Sequence, residues 1–163
     1  MASQSDDRDR LRQSGVAYLM SVVGIQSSKR WQARLEPLGI DPREMVVLRM
    51  VAAEPGRTQR SLGPALDVPP SRIVAVIDAL EARGLVERRA RPDDRRANAL
   101  HLTRRGKSTL SKLMNVSREH EQAMTEGLSR AESATLGRLL SKVARHEGLS
   151  HGGHPGFVDE DHA

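Results

Sequence analysis

The stretch from Ser61 to Lys107, SLGPALDVPPSRIVAVIDALEARGLVERRARPDDRRANALHLTRRGK, decides the reading of this chain. Its punctuation predicts a short helix, a tight turn, a second helix, and a two-stranded hairpin with RPDDRR at the tip. The charge is concentrated there. From Arg83 to Lys107 there are nine Lys or Arg against three Asp or Glu, a net of +6. The whole chain of 163 residues carries +5, which leaves the remainder at −1. A compact basic projection beside a helix-turn-helix suits a polyanion as partner.

The second helix of the stretch, Ser71–Arg83, has one apolar stripe. Ile73, Val76, Ile77 and Leu80 follow i, i+3, i+4, i+7 and mark the core face. Ser71, Val74, Ala75, Asp78 and Ala82 fall opposite, with Arg72 at the flank. Helices that read DNA contact bases with their N-terminal turns, so Ser71 and Arg72 are candidate donors to phosphate or guanine. Val74 is an apolar residue on an outward face, and a thymine methyl suits it. Asp78 marks the level at which the helix leaves the groove, because phosphates repel a carboxylate that no Arg pairs. In the hairpin, Arg95 and Arg96 sit at or just after the turn. Asp93 and Asp94 beside them can hold an Arg side chain extended, ready for the narrow minor groove. Arg88, Arg89 and Arg91 on the first strand are expected to reach phosphates. The candidate DNA contacts are therefore Gln59, Arg60, Ser61, Pro70, Ser71, Arg72, Val74, Ala75, Arg88, Arg91, Asp94, Arg95 and Arg96.

Bulk composition narrows the class of partner. The pI near 10.4 favours nucleic acid or an anionic surface. No run approaches the ~18 apolar residues needed to span a membrane. The start, MASQSDDRDR, is polar and acidic, unlike a signal peptide. Cysteine is absent, which excludes disulfides, thiolate metal sites and thiol redox sensing, and fits a cytoplasmic protein. Tyr18, Trp31 and Phe157 are too few aromatics for a base-stacking platform, which counts against single-strand or RNA binding.

Outside the stretch, Asp6–Glu36 reads as a long helix, weakened by Gly15 and Gly24. Asp41-Pro42-Arg43-Glu44 is a capping box with Pro at the first helical position. Thr58 is placed to cap a short helix through Leu66. Gly84 is a C-terminal glycine, Thr103 caps the next helix, and Ser129-Arg130-Ala131-Glu132 opens the last. Leu136, Leu139, Leu140 and Val143 form one stripe on that last helix. The fold expected is mainly α with a small two-stranded β wing. A short flexible N-terminus (1–5) precedes one domain over 6–147, in which residues 41–102 form a winged helix-turn-helix. Helices over 6–36 and 103–146 dimerise, and 148–163 is a disordered tail.

The run IVAVIDALEARGLVERRARPDDRRANALHLTRRG resembles the winged helix-turn-helix of the multiple-antibiotic-resistance regulator (MarR) family. The resemblance rests on Asp78–Arg88, on Asp94–Ala97 and on Leu-Thr-x-x-Gly at Leu102–Gly106. It implies a homodimer built from the first and last two helices. It implies major-groove reading by Ser71–Arg83 and minor-groove reading by the wing, with Arg96 as probe and Asp94 as its orienter. It also implies repression of a pseudo-palindromic operator, relieved by a small aromatic or anionic effector between the dimerisation helices and the DNA-binding lobe. Where the family often has a Ser or Thr cap on the recognition helix, this chain has Pro69.

Other chemistry finds little support. No Gly-rich phosphate loop, nucleophile elbow or His-x-Glu pair occurs, so no enzyme and no cofactor are expected. His151, His154 and His162 in the glycine-rich tail raise the alternative of a metal-responsive sensor, although a flexible tail preorganises nothing. An architectural DNA-binding protein with little sequence choice is a further alternative. His101 is expected to face solvent or DNA, while His120 and His146 suit an interface. Tyr18, Trp31, Met45 and Arg49 are candidates to line an effector cleft, against the simpler reading that they are core or interface residues.

Overall fold

Asp41 and Pro42 start the helix around which the core is built. The Asp41 carboxylate accepts from the Arg43 amide at 2.7 Å, and the Glu44 carboxylate accepts from the Asp41 amide at 3.1 Å. Pro42 occupies the first turn, where its missing N–H is no loss. The helix that follows, Pro42–Ala53, buries Met45, Val47, Leu48 and Val51. Val46 and Met50 are only half-buried, so the stripe is rotated slightly from a simple apolar count.

The computed structural model describes residues 14–66, 68–90 and 98–149. In chain order the elements are α1 (Val16–Leu35), a 3-10 turn (Glu36–Leu38), α2 (Pro42–Ala53), α3 (Gln59–Leu66) and α4 (Pro70–Ala82). Then come β1 (Val86–Ala90), β2 (Asn98–Leu102), α5 (Arg104–Thr125) and α6 (Arg130–His146). The fold is mainly helical with one two-stranded antiparallel sheet, a winged helix-turn-helix carried between long helices. The core joins Leu35, Leu48, Val51, Leu62, Leu66, Ile73, Ile77, Leu80, Leu85, Val86, Leu100 and Leu113, drawn from both strands and every α-helix except α6.

The strands pair Val86 with Leu102, Arg88 with Leu100 and Ala90 with Asn98. A third segment joins them. Thr58 forms an antiparallel bridge with Ala99, the Gly56 amide donates to the Leu100 carbonyl at 2.9 Å, and the Leu100 amide donates to the Arg57 carbonyl at 2.9 Å. The linker between α2 and α3 therefore adds itself to the wing.

The junction of the wing with α5 is tight. Gly84 sits in the left-handed region at φ 63°, which glycine adopts without strain. The Thr103 hydroxyl donates to the Gly84 carbonyl at 2.7 Å and accepts from the Gly106 amide at 3.0 Å, so it caps α5 and ties it to the strand at once. A Cβ on Gly106 would lie 1.9 Å from the Leu85 carbonyl oxygen. Only a residue without a side chain lets the first turn of α5 cross the backbone there.

α6 opens with the Ser129–Glu132 capping box, but buries none of its residues in this chain. Leu136, Leu139, Leu140 and Val143 are 42%, 53%, 44% and 39% exposed. Val16, Tyr18, Val23 and Ile25 of α1 are exposed as well. Contiguous apolar stripes of this kind mark an interaction surface.

Candidate nucleic-acid interface

α4 divides as its periodicity predicts. Ile73, Ile77 and Leu80 are buried and Val76 is half-buried against the core. Ser71, Val74, Ala75 and Asp78 are exposed, Val74 by 38%. Pro69 takes the N-cap position with φ −56° and ψ 141° and supplies no side-chain cap, while Pro70 begins the helix. Arg72 is half-buried and already has an interaction within the chain.

The start of α3 lies beside this face. Arg60 and Ser61 are exposed. The Ser61 hydroxyl donates to the Thr58 carbonyl at 2.8 Å and accepts from Arg57 Nε at 3.4 Å, so it is held locally. Thr58 serves in the bridge to Ala99, and its carbonyl accepts from the Ser61 amide at 3.1 Å. Gln59 Oε1 accepts from Arg88 Nη2 at 3.0 Å.

Arg88 departs from expectation. The sequence puts it on the strand to reach phosphate; in the structure its guanidinium turns inward and is only 20% exposed. Nη2 donates to Asp78 Oδ1 at 2.5 Å, Nη1 donates to Glu81, and the Arg88 amide donates to Glu81 Oε1 at 3.2 Å. Burial opposes the guanidinium charge, but the hydrogen bonds it donates to Asp78 and Glu81, with the charges of those carboxylates, outweigh it and raise its pKa above the usual arginine value. The reason is geometric. Asp78 and Glu81 are three residues apart on one face of α4, and β1 lays Arg88 between them. Asp78, read earlier as a repulsive charge, is therefore paired. Arg89 stays exposed and is paired with its neighbour Glu87, Nη2 to Oε1 at 2.5 Å. Arg91, Asp94, Arg95 and Arg96 lie outside the described residues, as do His151, His154 and His162. Among the described residues no cluster of His, Asp and Glu is arranged to hold a metal ion.

The four effector candidates are not brought together within one chain. Tyr18 and Trp31 are thirteen residues apart on one helix, about 20 Å at 1.5 Å per residue. Met45 is buried in the core, and Arg49 is exposed one turn on. A cleft opens elsewhere, with a volume near 510 Å³. Its apolar lining includes Val51, Pro55, Leu102, Leu110 and Met114, and its polar lining is Arg89, His101, Lys107 and Ser111. His101 is half-buried and lines this cleft beside the end of α2. The residues Lys107, Leu110, Ser111 and Met114 share one face of α5 at i, i+3, i+4, i+7. That spacing is legible in the sequence and was the signal available for this cleft.

Trp31 has another partner. Its ring meets His120 of α5 at a centroid distance of 5.4 Å and a tilt of 50°. His120 Nε2 lies 3.0 Å from the Ser27 hydroxyl, and Nδ1 is buried without a hydrogen-bond partner. Burial, together with Arg34 and Arg30 and against Glu121, lowers the His120 pKa below the ordinary histidine value. His120 thus belongs to the contact between α1 and α5.

Residues 38–97 match the model of the MarR family. The chain is 36% identical over 109 residues to a putative transcriptional regulatory protein for the hcr operon of Thauera aromatica. That match covers 67% of this chain and spans 66% of that relative's length. The fold is similar to that of the transcriptional repressor CouR bound to a 23-mer DNA duplex. The TM-score is 0.71 at 30% identity, with 80% of this chain and 92% of that chain covered. It is also similar to the MarR family protein Rv2887 of Mycobacterium tuberculosis in complex with salicylic acid. There the TM-score is 0.64 at 28% identity, with 80% and 97% covered.

Proposed function

The chain belongs to the MarR family, and on that premise we propose how this double-stranded-DNA-binding transcriptional regulator works. It is a homodimer that represses by occupying a pseudo-palindromic operator and is released by a small effector. Its two α4 helices enter successive major grooves ~34–36 Å apart. Ser71, Val74 and Ala75 face the bases, while Gln59, Arg60, Ser61 and Pro70 approach the backbone. The wing tip, with Arg91, Arg95 and Arg96 and with Asp94 as orienter, lies along the adjacent minor groove. The observation that carries this reading is the outer face of α4. It is exposed, bears no core residue, and is flanked by the start of α3 and by a basic wing strand.

The apolar stripes of α1 and α6 bury each other in the dimer, which accounts for their exposure in one chain. The effector is an aromatic or otherwise apolar anion. The cleft among α2, the wing and α5 suits it, with Arg89, Lys107 and His101 to meet the charge and an apolar lining for the body. Among the described residues no helix is long and apolar enough to cross a membrane. A protein that works on the chromosome is assigned to the cytoplasm.

Selection of duplexes from a random pool, followed by titration, tests the proposal. The expected product is a two-fold motif bound far more tightly than scrambled DNA, and Arg96→Ala weakens that binding strongly. Equal affinity for both duplexes refutes the regulator in favour of an architectural role.

A further inference from the structure

Asp78 poses a difficulty for a helix that lies against DNA. It is exposed on the same face as Val74 and Ala75, one turn further along α4. A bare carboxylate there repels phosphates. The structure meets the difficulty with one side chain. Arg88 Nη2 donates to Asp78 at 2.5 Å and to Gln59 Oε1 at 3.0 Å, and Nη1 donates to Glu81. One guanidinium thus joins the start of α3, the outer face of α4 and the wing strand β1. Its planar fork of donors satisfies several acceptors at once, which a lysine ammonium on a flexible stem does not reproduce.

The orientation of Gln59 follows. A guanidinium only donates, so the atom of the Gln59 amide that faces it is the carbonyl oxygen. The amide nitrogen, with two donors, is left for an outside partner. An amide that reads adenine needs its oxygen and its nitrogen together. With the oxygen taken, Gln59 addresses acceptors alone, such as phosphate oxygens or a guanine edge.

We infer that Arg88 is a positioning residue for operator binding, which fixes α3, α4 and the wing relative to one another, masks Asp78, and sets Gln59 as a donor. This rests on the DNA-binding reading above. It assigns Arg88 no contact with DNA.

The test uses the full-length protein, a duplex selected by the parent protein, and a scrambled duplex of equal length. Affinity is measured across a salt series for the parent, Arg88→Gln, Arg88→Gln with Asp78→Asn, and Gln59→Glu. Arg88→Gln is expected to lose on the order of tenfold on the selected duplex, the scale of a hydrogen bond to a charged group. Its salt slope stays that of the parent, and adding Asp78→Asn recovers most of the loss. A slope lower by about 0.9 with no recovery identifies Arg88 as a phosphate ligand and overturns the inference. Gln59→Glu keeps an acceptor for Arg88 and places an acid in the first turn of α3, where it favours the helix. It is therefore expected to fold like the parent and to lose on the order of tenfold in DNA affinity, since it has no donor left. Parent-like binding by Gln59→Glu overturns the inference even where Arg88→Gln fails to fold. A parent protein that enriches no duplex overturns the DNA-binding reading itself, and the inference with it.

Discussion

Replacing Gly106 with alanine exchanges one hydrogen for a methyl group, and intrinsic propensity favours the change by about 1 kcal/mol inside a helix. The structure reverses that sign. The new Cβ meets the Leu85 carbonyl oxygen at 1.9 Å and its carbon at 2.9 Å, both of them backbone atoms that no rotamer change can move. Opening 1.9 Å even to a tight 3.0 Å moves the first turn of α5 by about 1.1 Å. The bonds at stake are Thr103 amide to Leu85 carbonyl at 3.1 Å and Thr103 hydroxyl to Gly84 carbonyl at 2.7 Å. Overpacking costs about 1–3 kcal/mol, and each lost hydrogen bond about 1 kcal/mol. Against the propensity gain, Gly106→Ala is expected to destabilise by roughly 2–4 kcal/mol. For a chain of this size that lowers the melting temperature by roughly 5–15 °C. Gly24→Ala in α1 is the reference, because its methyl meets nothing within 4 Å. It is expected to gain about 1 kcal/mol and melt a few degrees higher. The assay is thermal melting by circular dichroism at matched protein concentration, since association contributes to stability. If both variants melt above the parent, the close approach of α5 to Leu85 is refuted.

Three further outcomes are expected. Val74→Ala costs roughly 1 kcal/mol of DNA affinity, and only on duplexes with thymine at the facing position; an equal loss on every duplex removes the base contact. Leu140→Glu places a charge in the α6 stripe and should convert the dimer to monomer in size-exclusion chromatography while leaving the helical signal intact; an unchanged elution volume places the interface elsewhere. For His120 the sign follows from its lowered pKa. Between the folded and unfolded values the unfolded chain binds more protons, so stability falls as pH drops below the unfolded value of about 6.5. The melting temperature should therefore decline from about pH 7.5 toward about pH 5.5, and His120→Gln should flatten that decline; an identical pH profile in the variant excludes His120 as its source.

Local signals were the legible part of this molecule. Asp41, Thr103 and Ser129 announce helix starts because a cap depends on residues within one turn. Ile73, Val76, Ile77 and Leu80 announce the inner face of α4 because helical period alone sets it. The pairing of Arg88 was not legible, because strand alternation does not reveal that Asp78 and Glu81 stand over β1, ten and seven residues back. The place of His101 in a cleft was not legible for a similar reason, since nothing near it in sequence says that the end of α2 lies beside its strand. Helical rise sets Tyr18 and Trp31 far apart along a single axis, so one chain does not bring them together. The effector cleft draws on three elements, and only its α5 side has a pattern that the sequence displays.

The bridge between Thr58 and Ala99 has a consequence for how the molecule assembles. A hairpin of two short strands is marginal by itself in water. Here β2 is completed by the linker before α3, and the loop closed by that contact encloses α3, α4 and β1. The entropy of closing so long a loop must be met before the wing gains its third member. The bridge ties β2 to the linker between α2 and α3, so the wing is anchored to both helices through that linker. On the DNA-binding reading proposed above, the helix and the wing strands that meet DNA are held in one closed loop of chain, so Thr58 and Ala99 bear on the whole of that surface.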